Sequence, residues 1–349
     1  MQRIRVVLVG LGHMGAFHFR VLREDPRFEL VAVVDPVLAA LPEGAPAIPL
    51  LRSLDQAQAL DFQLALIAAP TEWHDTLVEQ ALEQGRHVFV EKPAASTPEK
   101  AYELVQLARS RGLALAVGHV ERCNPVVAAL QSVVQSGILG RIVHVSGVRA
   151  GGWPRHVKRG NNVIVDLAVH ELDVFRLLLG PLRIVHSVGH CTRDPEIMDT
   201  AELSLLSQDG VSASIHVNWH TPQRLRTIRV TGTQAVVHVD YLTQTAELVG
   251  INLSSLPQWA ALGLTSHRDG QQLERASVPV VVRESLKIQL DHVFAMLQDQ
   301  PHQLAHGEEL IESVDLLSEA QRLAQLTASL ERGTLGKGDR SPRFAIPNA

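Results

Sequence analysis

Cysteine is nearly absent: Cys123 and Cys191 are the only two in 349 residues. They form no C-x-x-C pair and no Cys/His cluster, which excludes a disulfide-built scaffold and the usual structural zinc motifs. A reducing cytoplasm is the expected setting, with one disulfide the remaining alternative. No apolar run approaches the roughly 18 residues needed to cross a bilayer, so no membrane partner is expected. An excess of one charge is also missing. The net charge of −5 speaks against broad electrostatic binding to nucleic acid. Seventeen histidines are present, but none stands in a convincing ligand spacing, and no metal is expected. Internal repeats and long low-complexity stretches are absent.

What is present begins at once. Ile4 to Val9 is an apolar run interrupted only by Arg5, as in a buried parallel strand. It ends in Gly10-Leu11-Gly12-His13-Met14-Gly15, a G-x-G-x-x-G spacing that opens a helical pattern. Gly10 permits the tight turn, Gly12 lets backbone approach a pyrophosphate, and Gly15 lets the helix lie near the strand. The helix N-terminus offers free N–H donors to phosphate. Phe28 to Asp35 reads as a second strand ending in an acid, 20 residues after Gly15. A dinucleotide fold needs a carboxylate there for the ribose 2′-hydroxyl, and the same charge would repel a 2′-phosphate. NAD is therefore expected rather than NADP, with Gly10, Gly12, His13, Met14, Gly15 and Asp35 as cofactor contacts. Arg3 and Arg5 before an apolar stretch resemble a leader, but the glycine triplet argues against one.

Strand and helix continue to alternate up to about residue 120. Phe62–Ala69, His87–Val90 and Leu113–Val117 read as strands; the spacing predicts helices after Thr71 and after Ser96 or Thr97. This is a doubly wound parallel sheet, a Rossmann-type domain over residues 1–120. Ligands in such sheets lie outside the carboxyl ends of the strands. Pro70, Thr71 and His74, then Glu91 and Lys92, stand at those ends. Lys92, fixed before a proline after a buried strand, is a candidate for catalysis; a surface lysine paired with Glu91 is the alternative.

Beyond residue 120 the pattern changes to strands with period-2 alternation joined by short turns, such as Ser212 to Val217. Together with flanking helices these predict an α+β domain over residues 121–332 with a large, mainly antiparallel open sheet. Its uncovered face predicts oligomerisation. Residues 333–349 read as a tail or as an arm on a neighbouring subunit. Asp166, His170 and Asp173 are spaced i, i+4, i+7, one face of an α-helix, where a carboxylate can orient or acidify an imidazole base. A solvated face with Asp166 as N-cap is the other reading. No acid occurs between Glu121 and Asp166, while Arg149, Arg155, His156, Lys158 and Arg159 stand close together, a positive field suited to phosphate or carboxylate. Trp153, between glycine and proline, can stack on a planar base. An exposed basic loop is the alternative.

Taken together, Gly10-x-Gly12-x-x-Gly15, Pro70-Thr71-x-x-His74, Glu91-Lys92-Pro93 and Asp166-x-x-x-His170 resemble the Gfo/Idh/MocA oxidoreductases over nearly the whole chain. Gly118-His119-Val120-Glu121-Arg122-Cys123-Asn124-Pro125 is similar to a signature of the nucleotide-sugar branch, where Phe is usual at position 123. Asn218-Trp219-His220-Thr221-Pro222, Val230 to Thr233, Val239-Asp240-Tyr241 and Leu286 to His292 also look like that branch. Gly160-Asn161-Asn162-Val163 departs from the glycine run that many relatives carry before the catalytic helix.

The resemblance implies an NAD-dependent enzyme oxidising the C3 hydroxyl of a UDP-sugar bound between the first domain's crevice and the second domain's sheet. UDP-N-acetylglucosamine is the implied substrate, with its 6-carboxylate as the near alternative; free sugars or inositols, or an NAD-binding sensor without turnover, stand further off. The expected catalytic residues are Lys92, His170 and Asp166, with His170 favoured as base, Asp166 tuning it and Lys92 holding the alkoxide. Arg149 and Arg155 are candidates for the diphosphate, Arg122 and Asn124 for sugar or nicotinamide, and Trp153 and Asn162 for further substrate contacts. A homo-oligomer, tetramer or dimer, is expected. The 3-keto product would pass to a PLP aminotransferase making a 3-amino sugar for lipid A or another surface glycan.

Overall fold

The computed structural model describes residues 3–154, 157, 162–268 and 273–335. The first sheet contains β1 (Ile4–Val9), β2 (Phe28–Val34), β3 (Leu50–Leu51), β4 (Leu64–Ile67), β5 (His87–Glu91) and β6 (Leu115–Gly118). Its helices are α1 (His13–Glu24), α2 (His74–Glu83) and α3 (Pro98–Ser110). These strands are parallel, in spatial order β6-β5-β4-β1-β2-β3. All four residues of β4 are buried, which explains why the strand reads as continuous apolar sequence instead of alternating.

After α4 (Pro125–Ser136), the second sheet is built from β7 (Ile142–Ala150), β8 (Leu182–His190), β9 (Thr200–Ser207), β10 (Ser212–Asn218), β11 (Leu225–Gly232), β12 (Ala235–Asp240), β13 (Thr245–Ile251), β14 (Thr265–Arg268) and β15 (Leu273–Val278). Its order is β14-β15-β13-β12-β11-β7-β10-β9-β8, antiparallel except where β10 runs parallel to β7. Helix α5 (Val169–Leu179) packs on the inner face. Val145, Gly147 and Arg149 of β7 point to that face, while His144, Ser146 and Val148 alternate to the other. The outer face carries polar cross-strand pairs, including His144 with Ser212 at 2.8 Å and Arg275 with Glu247 at 2.9 Å.

The chain then returns to where it began. Helix α6 (Ser285–Met296) packs on α1. Its Leu286, Leu290 and Val293 enter the same core as Ile4, Val6 and Leu8. Strand β16 (Ala305–His306) adds an antiparallel edge to β6. Helix α7 (Glu308–Leu335) then packs on both α3 and β8. Apolar side chains from 286–314 thus complete the first domain's core, and β16 completes its sheet. Among the described residues no helix is long and apolar enough to cross a membrane.

Candidate active site

A cleft of about 1230 Å³ runs across the carboxyl ends of β1, β2, β4 and β5, lined by Gly10, Gly12, Asp35, Thr71, Glu91 and Lys92 among others. Gly10 has φ +88° and its N–H donates to the Val34 carbonyl at 2.8 Å. A Cβ on Gly15 would stand 2.1 Å from the Gly10 carbonyl oxygen, whereas nothing lies within 4 Å of one on Gly12. Gly12 is the N-cap of α1 and makes no side-chain cap, so the first N–H groups remain available. His13 and Met14 line the same cleft.

Asp35 accepts from the N–H of Leu11 at 3.0 Å through Oδ2, and from those of Val37 and Leu38 at 2.9 Å through Oδ1. Burial works against its charge, but these donors and Arg52 hold the carboxyl below its usual range. Glycine turn, uncapped helix end, ionised Asp35 and long cleft together fit a dinucleotide. Gly15→Ala is expected to force strand and helix apart and weaken NAD binding by about tenfold or more, measured by titration.

Thr71 lines the cleft as expected but does not cap α2, which is preceded by a short 3-10 turn over Thr71–Trp73 without a side-chain cap. Pro70 begins that turn. His74 is buried, with Nδ1 2.7 Å from the Pro93 carbonyl oxygen and Nε2 2.9 Å from that of Ala69. It ties together the two loops that frame Lys92. Glu91 is buried against His18, Oε1 to Nε2 at 2.6 Å, so it does not pair with the Lys92 amine.

Lys92 reaches across to the second domain. Its Nζ donates to the carbonyls of Asp166 at 3.0 Å and Val165 at 3.3 Å, and lies 3.7 Å from Asp166 Oδ1. Burial lowers its pKa, against the pull of Asp166 and Glu91 and with the push of Arg149 and Arg226. Asp166 Oδ2 also accepts from Trp219 Nε1 at 3.3 Å.

The expected contact between Asp166 and His170 is not made among the described residues. Residues Ile164–Ala168 form a π-helical turn, and α5 starts only at Val169. The Asp166 carboxylate is turned to Lys92 and Trp219, and among the described residues no hydrogen bond or ion pair joins it to His170. Asp173 is taken by Arg122. The His170 ring is half-buried, and its Nδ1 is enclosed without a hydrogen-bond partner. Burial, then the charges of Arg149, Lys92 and Arg226, hold its pKa well below the ordinary histidine value. It is therefore neutral at pH 7 and able to accept a proton.

Two arginines expected on substrate turn out to be internal. Arg149 is fully buried, with Nε 2.8 Å from Glu171 and Nη2 2.9 Å from Glu121. Arg122 donates from Nε and Nη2 to Asp173, the latter at 2.7 Å, and from Nη1 to Glu309 at 2.6 Å. Their carboxylate partners come from distant segments, so a local tally of charge missed them. Asn124 is likewise structural: its Oδ1 caps α4 by accepting from Val126 N–H at 3.2 Å, and its Nδ2 donates to Glu121 at 3.1 Å. Asn162 Oδ1 accepts from Val165 N–H at 2.9 Å and so caps the π turn. Trp153 packs edge-on to Trp219, with ring centres 5.7 Å apart, under the Arg193 guanidinium. Arg155, His156, Lys158, Arg159, Gly160 and Asn161 lie outside the described residues.

Sequence reasoning missed three residues. Trp73, 56% exposed, forms part of the cleft wall. Arg52 donates from Nη1 to the carbonyls of Asp35 and Leu38 at the ribose end. The charge of Arg226 acts on Lys92 and His170, lowering the pKa of both. Burial and the neighbouring Arg149 and Arg224 bring its own pKa down to about 10. The signal for Arg226 was a charge at an inward position, in step with Ile228 and Val230.

A dinucleotide cleft that ends at a buried lysine, with His170 near enough to feel that lysine's charge, fits an oxidoreductase class of site. Residues 4–119 match the NAD-binding Rossmann-fold domain of the GFO/IDH/MocA oxidoreductase family, and residues 127–238 match its C-terminal domain. The chain belongs to this family, and its first domain binds NAD. It is 31% identical to the putative UDP-kanosamine synthase oxidoreductase subunit of Amycolatopsis mediterranei, covering 70% of this chain and 75% of that one. It is 28% identical to the UDP-N-acetylglucosamine 3-dehydrogenase of Acidithiobacillus ferrooxidans, covering 74% and 80%. The solved structure of the latter superposes with a TM-score of 0.75 over 94% of this chain and 100% of that one, at 22% identity. The WlbA dehydrogenase of Bordetella pertussis, solved with NADH and UDP-GlcNAcA, gives a TM-score of 0.74 over 93% and 97%, also at 22% identity. These relatives support a nucleotide-sugar dehydrogenase.

Proposed function

We propose that the protein oxidises the C3 hydroxyl of UDP-N-acetylglucosamine to the 3-keto nucleotide sugar, using NAD. The observation that carries this reading is the meeting of Lys92, from the first domain, with the turn that launches His170 in the second. NAD, when bound by Gly10, Gly12, Asp35 and their neighbours, supplies the hydride acceptor. His170 takes the hydroxyl proton, its ring kept neutral by burial and surrounding cations. Lys92 holds the developing alkoxide, oriented by the Val165 and Asp166 carbonyls and by the Asp166 carboxylate. The relatives' printed substrates favour a UDP-sugar over a free sugar or inositol.

A 3-keto product is a carbonyl of the kind that a PLP aminotransferase converts to an amine, and lipid A or another surface glycan is the destination we favour. The outer sheet face is the surface we assign to a homodimer or tetramer.

Incubation with NAD and UDP-N-acetylglucosamine is expected to generate NADH and a product two mass units lighter, about one per NADH. UDP alone is expected to compete. NADH formation from inositol but not from the UDP-sugar would overturn the substrate assignment. The pH profile carries a sign. His170 works deprotonated, so its depressed pKa moves the acid limb of kcat/KM below the ordinary value of 6.5. Lys92 works protonated, so its depressed pKa brings the alkaline limb below 10.5.

A further inference from the structure

Arg226 stands directly opposite Arg149 in the antiparallel pairing of β11 with β7. Cross-strand partners share a face, and like charges placed this way are destabilising. Arg149 resolves its own charge with Glu171 and Glu121. Arg226 does not: its only ion-pair contact among the described residues is Glu121, at 3.6 Å. That Glu121 oxygen already accepts from Arg149 at 2.9 Å, and the other accepts from Asn124 at 3.1 Å. The Arg226 guanidinium makes no hydrogen bond among the described residues, and its side chain is 25% exposed. A planar fork of donors that makes no hydrogen bond among the described residues, on the inner face of the sheet, is suited to bind an anion.

We propose that Arg226 is the residue that grips the negatively charged group of the substrate, a carboxylate or phosphate oxygen, beside Lys92 and His170. This rests on the UDP-sugar reading above. A UDP-sugar offers its diphosphate, and a 6-carboxylated sugar offers a second anion at the far side of the ring. A guanidinium on the sheet face serves whichever of them is turned toward it. The like-charge register that weakens the free sheet is relieved when an anion bridges the fork.

The test is calorimetric titration of UDP, UDP-N-acetylglucosamine and its 6-carboxylate into the NADH-loaded full chain, for wild type, Arg226→Gln and Arg226→Lys. Arg226→Gln is expected to weaken binding by about 30-fold, from losing a charge-assisted pair, and Arg226→Lys to recover part of it. A loss confined to the 6-carboxylate assigns the carboxylate, and an equal loss for all three assigns the diphosphate. Affinities within twofold of wild type for all three overturn the proposal. So does a parallel loss of NADH affinity in both variants, which would mark Arg226 as a support of the fold. If wild type binds none of the three, the UDP-sugar reading fails by itself. Glucuronate and inorganic phosphate then decide Arg226: binding by wild type but not by Arg226→Gln keeps the anion site, and no difference removes it.

Discussion

Lys92→Ala and His170→Ala are each expected to lower turnover by about 10²–10⁴-fold while NAD affinity stays within a few-fold of wild type. The size of the effect follows from where each group sits. Lys92 is held by two carbonyls and a carboxylate from the opposite domain. Its removal takes away a cation held in place by those three oxygens. Among the described residues His170 has Nδ1 enclosed without a partner, and no carboxylate pairs with it. Lys92→Arg keeps the charge but not the compact ammonium, and a substantial loss is expected there too. Single-turnover rates, followed by NADH absorbance, give the measurement. Near-normal rates in both alanine variants would remove the catalytic assignment.

Arg149→Leu is expected to cost about 3–5 kcal/mol of stability, because Glu171 and Glu121 would be left buried without their cation. Glu171 is fully buried, and Glu121 nearly so. Adding Glu171→Leu to Arg149→Leu is expected to return much of the loss, since removing a whole ion pair costs far less than breaking one. Denaturant titration of both variants measures this. A diphosphate-binding Arg149 would behave oppositely: Arg149→Leu would fold as wild type and lose only substrate affinity.

The glycine spacing, Asp35 and the alternation of strands with helices were legible in the sequence because each depends on neighbours within one supersecondary unit. Lys92 was legible because a strand end in such a sheet points to the crevice. The roles of Arg122 and Arg149 were not, since Asp173, Glu309, Glu121 and Glu171 meet them only after folding. The Asp166–His170 pairing is not made because the carboxylate's partners, Lys92 and Trp219, arrive from distant segments only on folding. Asn124 and Asn162 stand in sequence where ligand contacts are expected, yet each spends its side-chain oxygen on a helix end. Helix α6 and strand β16 crossed back to the first domain because their apolar faces complete its core, which a linear change of pattern could not announce.

The most direct test of the central claim uses UDP-N-acetylglucosamine deuterated at C3, incubated with NAD and the full chain. The account predicts that the NADH formed gains one mass unit and that the sugar product carries no deuterium. Unlabelled NADH, or deuterium retained at C3 of the product, would contradict it.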